Sequence, residues 1–227
     1  MNKQTYSIGG VVLVFLAFAA LFGFRSTDNG SESGFTLSRE APFEQVSIPE
    51  KYSDDATRAV IEKNIDQTKT QFESYPDMWE TWVAIGNMYL QLEDYDLAIA
   101  AYTISVDIQP SNFIAIRNIA QVYETNLNDF ISAEKYYRKA ISANILLVQN
   151  YIDLGRMLHR KMEQPDDAEA VFREGLVHTS NSPDMLLQLI ELYERTENED
   201  AAQEAATMLL DRFPTDQYKK AYSKYLK

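Results

Sequence analysis

The chain has 227 residues, enough for one ordinary domain with segments to spare at its ends. A formal net charge of −13 argues against a nucleic-acid binder, which needs a basic face to neutralise phosphate, and against adsorption of the body to anionic lipid. With no cysteine, disulfides, zinc ribbons, thiol catalysis and iron–sulfur ligation are excluded together.

Residues 1–7 form a short N-terminal tail. Ile8 to Phe24 then reads IGGVVLVFLAFAALFGF, without a charge or strong polar group. Wound as a helix it is roughly 26 Å long at 1.5 Å per residue, close to the roughly 30 Å of a bilayer's hydrocarbon core. The expectation is one transmembrane helix, a signal anchor. Ala17-Phe18-Ala19 has the small-x-small form of a cleavage site, so removal of a signal peptide after Ala19 is the alternative. The apolar run continues through ALFGF, which favours the uncleaved anchor. Lys3 and Arg25 flank the run almost symmetrically, so the positive-inside rule is nearly balanced. The short tail sets the expected orientation: N-terminus cytoplasmic, body periplasmic or extracellular. Residues 25–52, with RSTDNGSESG and then Pro42 and Pro49, have the composition of a flexible linker.

Residues 53–75 read as a capping helix. Ser53 is a suitable N-cap, Asp54 and Asp55 suit the positive helix start, and Val60, Ile61, Ile65, Thr68 and Phe72 follow helical spacing. A pattern then recurs. Counting from Trp79, Trp82, Ile85, Gly86 and Tyr89 are the fourth, seventh, eighth and eleventh residues. Ala98, Tyr102 and Pro110 are the twentieth, twenty-fourth and thirty-second. From Phe113, Ile116, Ile119, Ala120 and Tyr123 take the first set of positions. Ala133, Tyr137 and Ala140 take the second, one residue late, which places an insertion in the turn NLND. From Val148, Tyr151, Leu154, Gly155 and Leu158 are followed by Ala168, Phe172 and Gly175, again one residue late. From Pro183, Leu186, Leu189, Ile190 and Tyr193 precede Ala202, Ala206 and Pro214, with Ala206 where an aromatic is usual.

This pattern resembles the tetratricopeptide repeat, a 34-residue helix–turn–helix unit with bulky–Leu–Gly–Tyr in its first helix and Ala–aromatic–Ala–Pro in its second. The resemblance covers units at 79–112, 113–147, 148–182 and 183–214. It implies an all-α, helical-hairpin solenoid of about four repeats, closed by the helix at 53–75 and by a C-terminal helix over 215–227. Ser105 departs from the family, which favours alanine there. In such units the two helices pack closely, so Gly86 is expected to face Ala98, with Trp82, Tyr89 and Tyr102 filling the space around them. Ala120 with Ala133 and Gly155 with Ala168 repeat the arrangement, with Tyr123, Tyr137, Phe172 and Ala202 at corresponding packing positions.

No P-loop, dinucleotide fingerprint, HExxH or GxSxG is present, and His159 and His178 have no evident ligand set. No catalytic residue, metal site or cofactor is expected. The resemblance implies instead a concave groove lined by the second, fifth, ninth, twelfth and thirteenth residues of each unit. Those positions include Asn87, Arg117, Gln121, Arg156, His159 and Arg160. Arginine grips carboxylates bidentately, so a partner protein or peptide with an acidic segment or a C-terminal carboxylate is the expected ligand. Pairing of these arginines with neighbouring acids is the alternative. Chaperone-binding relatives carry a carboxylate clamp of asparagines and basic residues. Asn87 and Asn118 fall on its asparagine positions, but Val83, Gln149 and Asp153 stand where bases are needed, so the clamp is incomplete. The function implied is a membrane-anchored scaffold or adaptor for envelope or complex assembly. A cytosol-facing receptor of the import-receptor type and a self-associating structural protein are the alternatives.

Overall fold

The computed structural model describes residues 37–180 and 182–225. The expected tail, the span at 8–24 with Ala19, and residues 25–36 of the expected linker lie outside the described residues. Among the described residues there is no strand, and no helix is long and apolar enough to cross a membrane.

A first helix, α1 (Asp55–Ser74), leads into four antiparallel helix hairpins: α2 (Trp79–Gln91) with α3 (Tyr95–Ile108), α4 (Phe113–Gln121) with α5 (Phe130–Ala143), α6 (Val148–Lys161) with α7 (Pro165–His178), and α8 (Pro183–Arg195) with α9 (Glu199–Arg212). The hairpins start at Trp79, Phe113, Val148 and Pro183, the residues from which the sequence units are counted. Side-chain caps fix most starts. Asp94, Asn112, Asp129 and Asn198 each accept a hydrogen bond from the backbone N–H three residues on. Pro165 and Pro183 stand just inside their helices, where a missing N–H costs nothing. Ser53 does not cap α1: the cap is Asp54, whose Oδ1 accepts from Thr57 N at 2.7 Å.

The extra residue of the second unit is taken up by a π-helical turn, Val122–Leu127, that winds the end of the first helix into NLND, and Asp129 N closes it on Tyr123 O at 2.9 Å. The third unit does the same more simply, with Gln164 N reaching back to Leu158 O. The turns themselves are alike. Glu93, Asn128, Glu163 and Glu197 all take the left-handed conformation, with φ of 54–61°.

Within the first hairpin, the nearest neighbour of Gly86 is Tyr102, whose Cδ1 and Cζ would lie 2.5 and 2.9 Å from a Cβ added at Gly86. Gly155 lies under Phe172 in the same way, with Cζ at 2.5 Å from such a Cβ. In the fourth hairpin the sizes are exchanged: Ile190 holds the glycine position and Ala206 the aromatic one, and both are buried. Trp82, Tyr89, Ala98, Ala120, Tyr123, Ala133, Tyr137, Ala168 and Ala202 are all buried in the continuous apolar core.

The ends differ from the sequence reading. Residues 37–52 are not a free tether but a strap over the first hairpin. Leu37 is buried, and Phe43, Val46, Ile48 and Tyr52 pack on the core. Phe43 meets Phe72 edge-on at 5.7 Å, and Phe72 meets Trp82 at 5.8 Å. The hydroxyl of Tyr89 donates to the Pro42 carbonyl. Arg39 pairs with Asp107 at one end of the strap and Lys51 with Glu93 at the other. At the C-terminus the expected helix over 215–227 is only α10 (Asp216–Ala221), followed by a short 3-10 turn at Ser223–Tyr225. No residue of either is buried.

Candidate functional site

The first helices of the hairpins, α2, α4, α6 and α8, form one wall, and the candidate groove residues stand on it. The arginines are not free. Arg117 Nε donates to Asp153 Oδ2 at 2.6 Å, and the other oxygen of Asp153 accepts from Gln149. Arg156 Nε donates to Gln188 Oε1 at 2.7 Å, and Arg160 pairs with Glu191. Each arginine contact joins one hairpin to the next, so the wall carries a polar ladder that ties the last three hairpins together. Charge pairing with neighbours, not an empty cationic row, is therefore the state of Arg117 and Arg160. Arg156 differs: its partner is neutral, and that contact leaves its charge uncancelled.

The two asparagines at the clamp positions are also engaged. Tyr102 OH donates to Asn87 Oδ1 at 2.7 Å. Burial raises the Tyr102 pKa well above its ordinary value, and a side-chain hydrogen bond with Asn118 opposes that rise. The buried Tyr102 thus holds Asn87, and Asn118 lies close enough to influence it. Glu124, another groove position, accepts from Tyr137 OH at 2.6 Å, which adds to the burial that raises the Tyr137 pKa. Gln91 accepts from Asn64 of α1, and Glu194 is held by Lys224 and Tyr225. Ile152 is buried. Val83, Leu90, Gln121 and Leu187 remain partly accessible on the wall.

His159 is half-buried, and its Nε2 is enclosed without a hydrogen-bond partner among the described residues. Burial lowers its pKa, and the nearby Arg195 and Arg160 push it further down, while Glu191 acts the other way. The wall around α6 and α8 therefore collects Arg156, Arg160, Arg195 and His159 beside Glu191. Among the described residues no cluster of His, Asp or Glu could hold a metal ion.

Sequence reasoning did not name Asp153, Gln188 or Glu191 as partners of the arginines. The repeat length itself is the signal that finds them: the pairs are 36, 32 and 31 residues apart, close to one unit. Ser105, the departure from the family, also has a role. Its Oγ donates to Trp79 O at 2.9 Å and accepts from Asn112 Nδ2 at 2.9 Å, so one buried hydroxyl links α2, α3 and the cap of α4.

Stacked antiparallel hairpins joined through their first helices define a helical-hairpin solenoid, an architecture whose extended surfaces serve binding. The family model for the tetratricopeptide repeat matches residues 80–112 and 118–144, which fall in the first two hairpins. A relative from Porphyra purpurea, the uncharacterized protein ycf37, is 25% identical over 122 residues, covering 52% of this chain and 65% of the relative's own length. Among solved structures, MamA superposes with a TM-score of 0.55 at 17% identity, covering 79% of this chain and 99% of that one. A tetratricopeptide repeat protein from Parabacteroides merdae gives 0.54 at 18% identity over 78% of this chain and 70% of that one. At these identities the structural likeness speaks for the fold alone.

Proposed function

We propose that the protein is a membrane-tethered, non-enzymatic interaction scaffold whose first-helix wall receives an extended segment of a partner protein. The observation that carries this reading is the wall itself. It is a line of hydrogen-bonding side chains from Asn87 to Arg195, interrupted by the accessible apolar groups Val83, Leu90 and Leu187, on repeats of a type that builds binding surfaces. The ligand chemistry follows from Arg156. Its charge is not cancelled by Gln188, and Arg160 and Arg195 act on His159 of the same wall, so a carboxylate-bearing segment or chain end fits the wall over α6 and α8. The apolar run at 8–24 supports a tether with the body on the extracytoplasmic side, where an adaptor for envelope or complex assembly would work. A tether raises the local concentration of partners in the same membrane, so modest affinity suffices.

Photo-crosslinking in cells tests the reading. A photoreactive residue at Gln121 or Arg156 is expected to capture one reproducible partner, one at Lys139 on the second-helix side is not, and Arg156→Glu is expected to abolish the capture. Equal capture from both sides, or capture unaffected by Arg156→Glu, rejects the wall as the binding surface. A reporter fused after Lys227 reads the side of the membrane independently.

A further inference from the structure

The segments that link one hairpin to the next all lie along one edge of the stack, and the turns inside the hairpins lie along the other. The two edges differ in chemistry. The linking segments QPSN (109–112), NILL (144–147) and TSNS (179–182), with YPDM (75–78) leading into the first hairpin and FPT (213–215) leaving the last, carry Asp77 as their single charge. The hairpin turns at 92–94, 128–129, 162–164 and 196–198 carry Glu93, Asp94, Asp129, Glu163 and Glu197 and no base. Exposed large apolar side chains divide the same way. Of the nine among the described residues, six lie on or beside the linking edge: Tyr75, Met78, Ile114, Ile145, Leu146 and Val177. Leu146 and Val177 are 69% and 77% exposed. Helix-end charges, Glu80, Asp107 and Asp184 among them, flank this edge but do not fill its linking segments.

The described chain also begins at this edge. Leu37 is buried there, and Arg39 is tied to Asp107 in the last turn of α3. Only 12 residues separate Phe24, the last residue of the apolar run, from Leu37. At most ~3.5 Å per residue, they cannot hold the two more than about 45 Å apart.

We propose that the linking edge is the face the body turns toward the membrane, with Tyr75, Met78, Ile114, Ile145, Leu146 and Val177 resting in the headgroup region of the bilayer. This rests on the reading of 8–24 as an anchor. A nearly charge-free edge with a tyrosine and aliphatic groups suits the lipid interface, and the acidic turn edge, which anionic headgroups would repel, points away from it. The connection of 12 residues limits how far this edge can lie from the anchor. The contact is weak on its own and depends on the tether to hold it there.

The test uses the full-length chain reconstituted in phosphatidylcholine vesicles. The chain has no cysteine, so Leu146→Cys, Met78→Cys, Lys161→Cys and Leu16→Cys each carry one thiol for an environment-sensitive fluorophore. Quenching by nitroxide-labelled phosphatidylcholine is compared with quenching by aqueous iodide. The expected result is strong lipid quenching and iodide protection at positions 16, 78 and 146, with the reverse at 161 on the acidic edge. A quenched probe at 16 with 146 no different from 161 overturns the membrane-facing edge and leaves the anchor standing. An unquenched probe at 16 removes the anchor and the proposal with it. Iodide protection at 146 without lipid quenching means that a protein surface covers this edge, and also overturns it.

Discussion

The ring of Tyr102 occupies the space that a side chain on Gly86 would need. A methyl group there would lie 2.5 Å from Cδ1, well inside van der Waals contact, and both residues are buried between α2 and α3. Gly86→Ala is therefore expected to destabilise the fold by about 1–3 kcal/mol, despite alanine's better helix propensity. Tyr102→Leu in the same chain should recover part of the loss, and Tyr102→Phe should not, because the ring stays in place. Urea unfolding of the three variants checks this. Equal stability of Gly86→Ala and wild type would show that the ring can move aside.

Ser105→Ala moves the sequence toward the tetratricopeptide pattern it resembles, yet it is expected to destabilise. The substitution leaves Asn112 Nδ2 and Trp79 O without their shared partner in a buried setting. The cost of stranding such groups is about 1–3 kcal/mol. The midpoint of denaturant unfolding measures it. A neutral or stabilising result means that water replaces the hydroxyl.

Tyr89→Phe removes one hydroxyl and with it the hydrogen bond that holds Pro42. The core packing of the ring is retained, so global stability should fall by only about 1 kcal/mol. The local effect should be larger. Amide exchange across residues 37–52 is expected to accelerate more than exchange in α6 to α9. Uniform acceleration along the chain would mean that the strap does not open separately from the hairpins.

The pKa of His159 is lowered in the folded protein, first by burial and then by Arg195 and Arg160. The unfolded chain, with an ordinary value of 6.5, then takes up the proton more readily than the folded one. Stability is unaffected well above 6.5 and falls as pH drops from 6.5 through the lowered folded value. His159→Gln removes this titration, so its melting temperature should change less than that of wild type between about pH 8 and about pH 5. Identical slopes below 6.5 would show that the imidazole gains solvent or a partner when protonated.

The helix hairpins were legible in the sequence because bulky and small residues recur at unit length and Asp, Asn, Ser or Pro marks most helix starts. The closeness of the Tyr102 ring to Gly86, 16 residues on, was not: the text places the tyrosine around the glycine but does not say that the ring fills the space of the missing side chain. The strap was hidden for a different reason. Phe43, Val46, Ile48 and Tyr52 have no regular period and stand among prolines, so nothing local distinguishes a packed extended segment from a free one. The arginines at the site were found by position, but their acidic and amide partners lie one unit downstream, where a search for local charge pairs does not look.

The exchanged sizes in the fourth hairpin carry a consequence for how such chains can be recombined. Tyr102 fits over Gly86, and Ala206 fits beside Ile190, but neither second helix suits the other's first helix. A chimera that grafts α3 onto α8 would force a tyrosine ring against isoleucine, and one that grafts α9 onto α2 would leave a hollow the size of that ring. The transferable module is the whole hairpin. A lineage that drifts from one arrangement to the other one substitution at a time must pass through a crowded or a hollow intermediate.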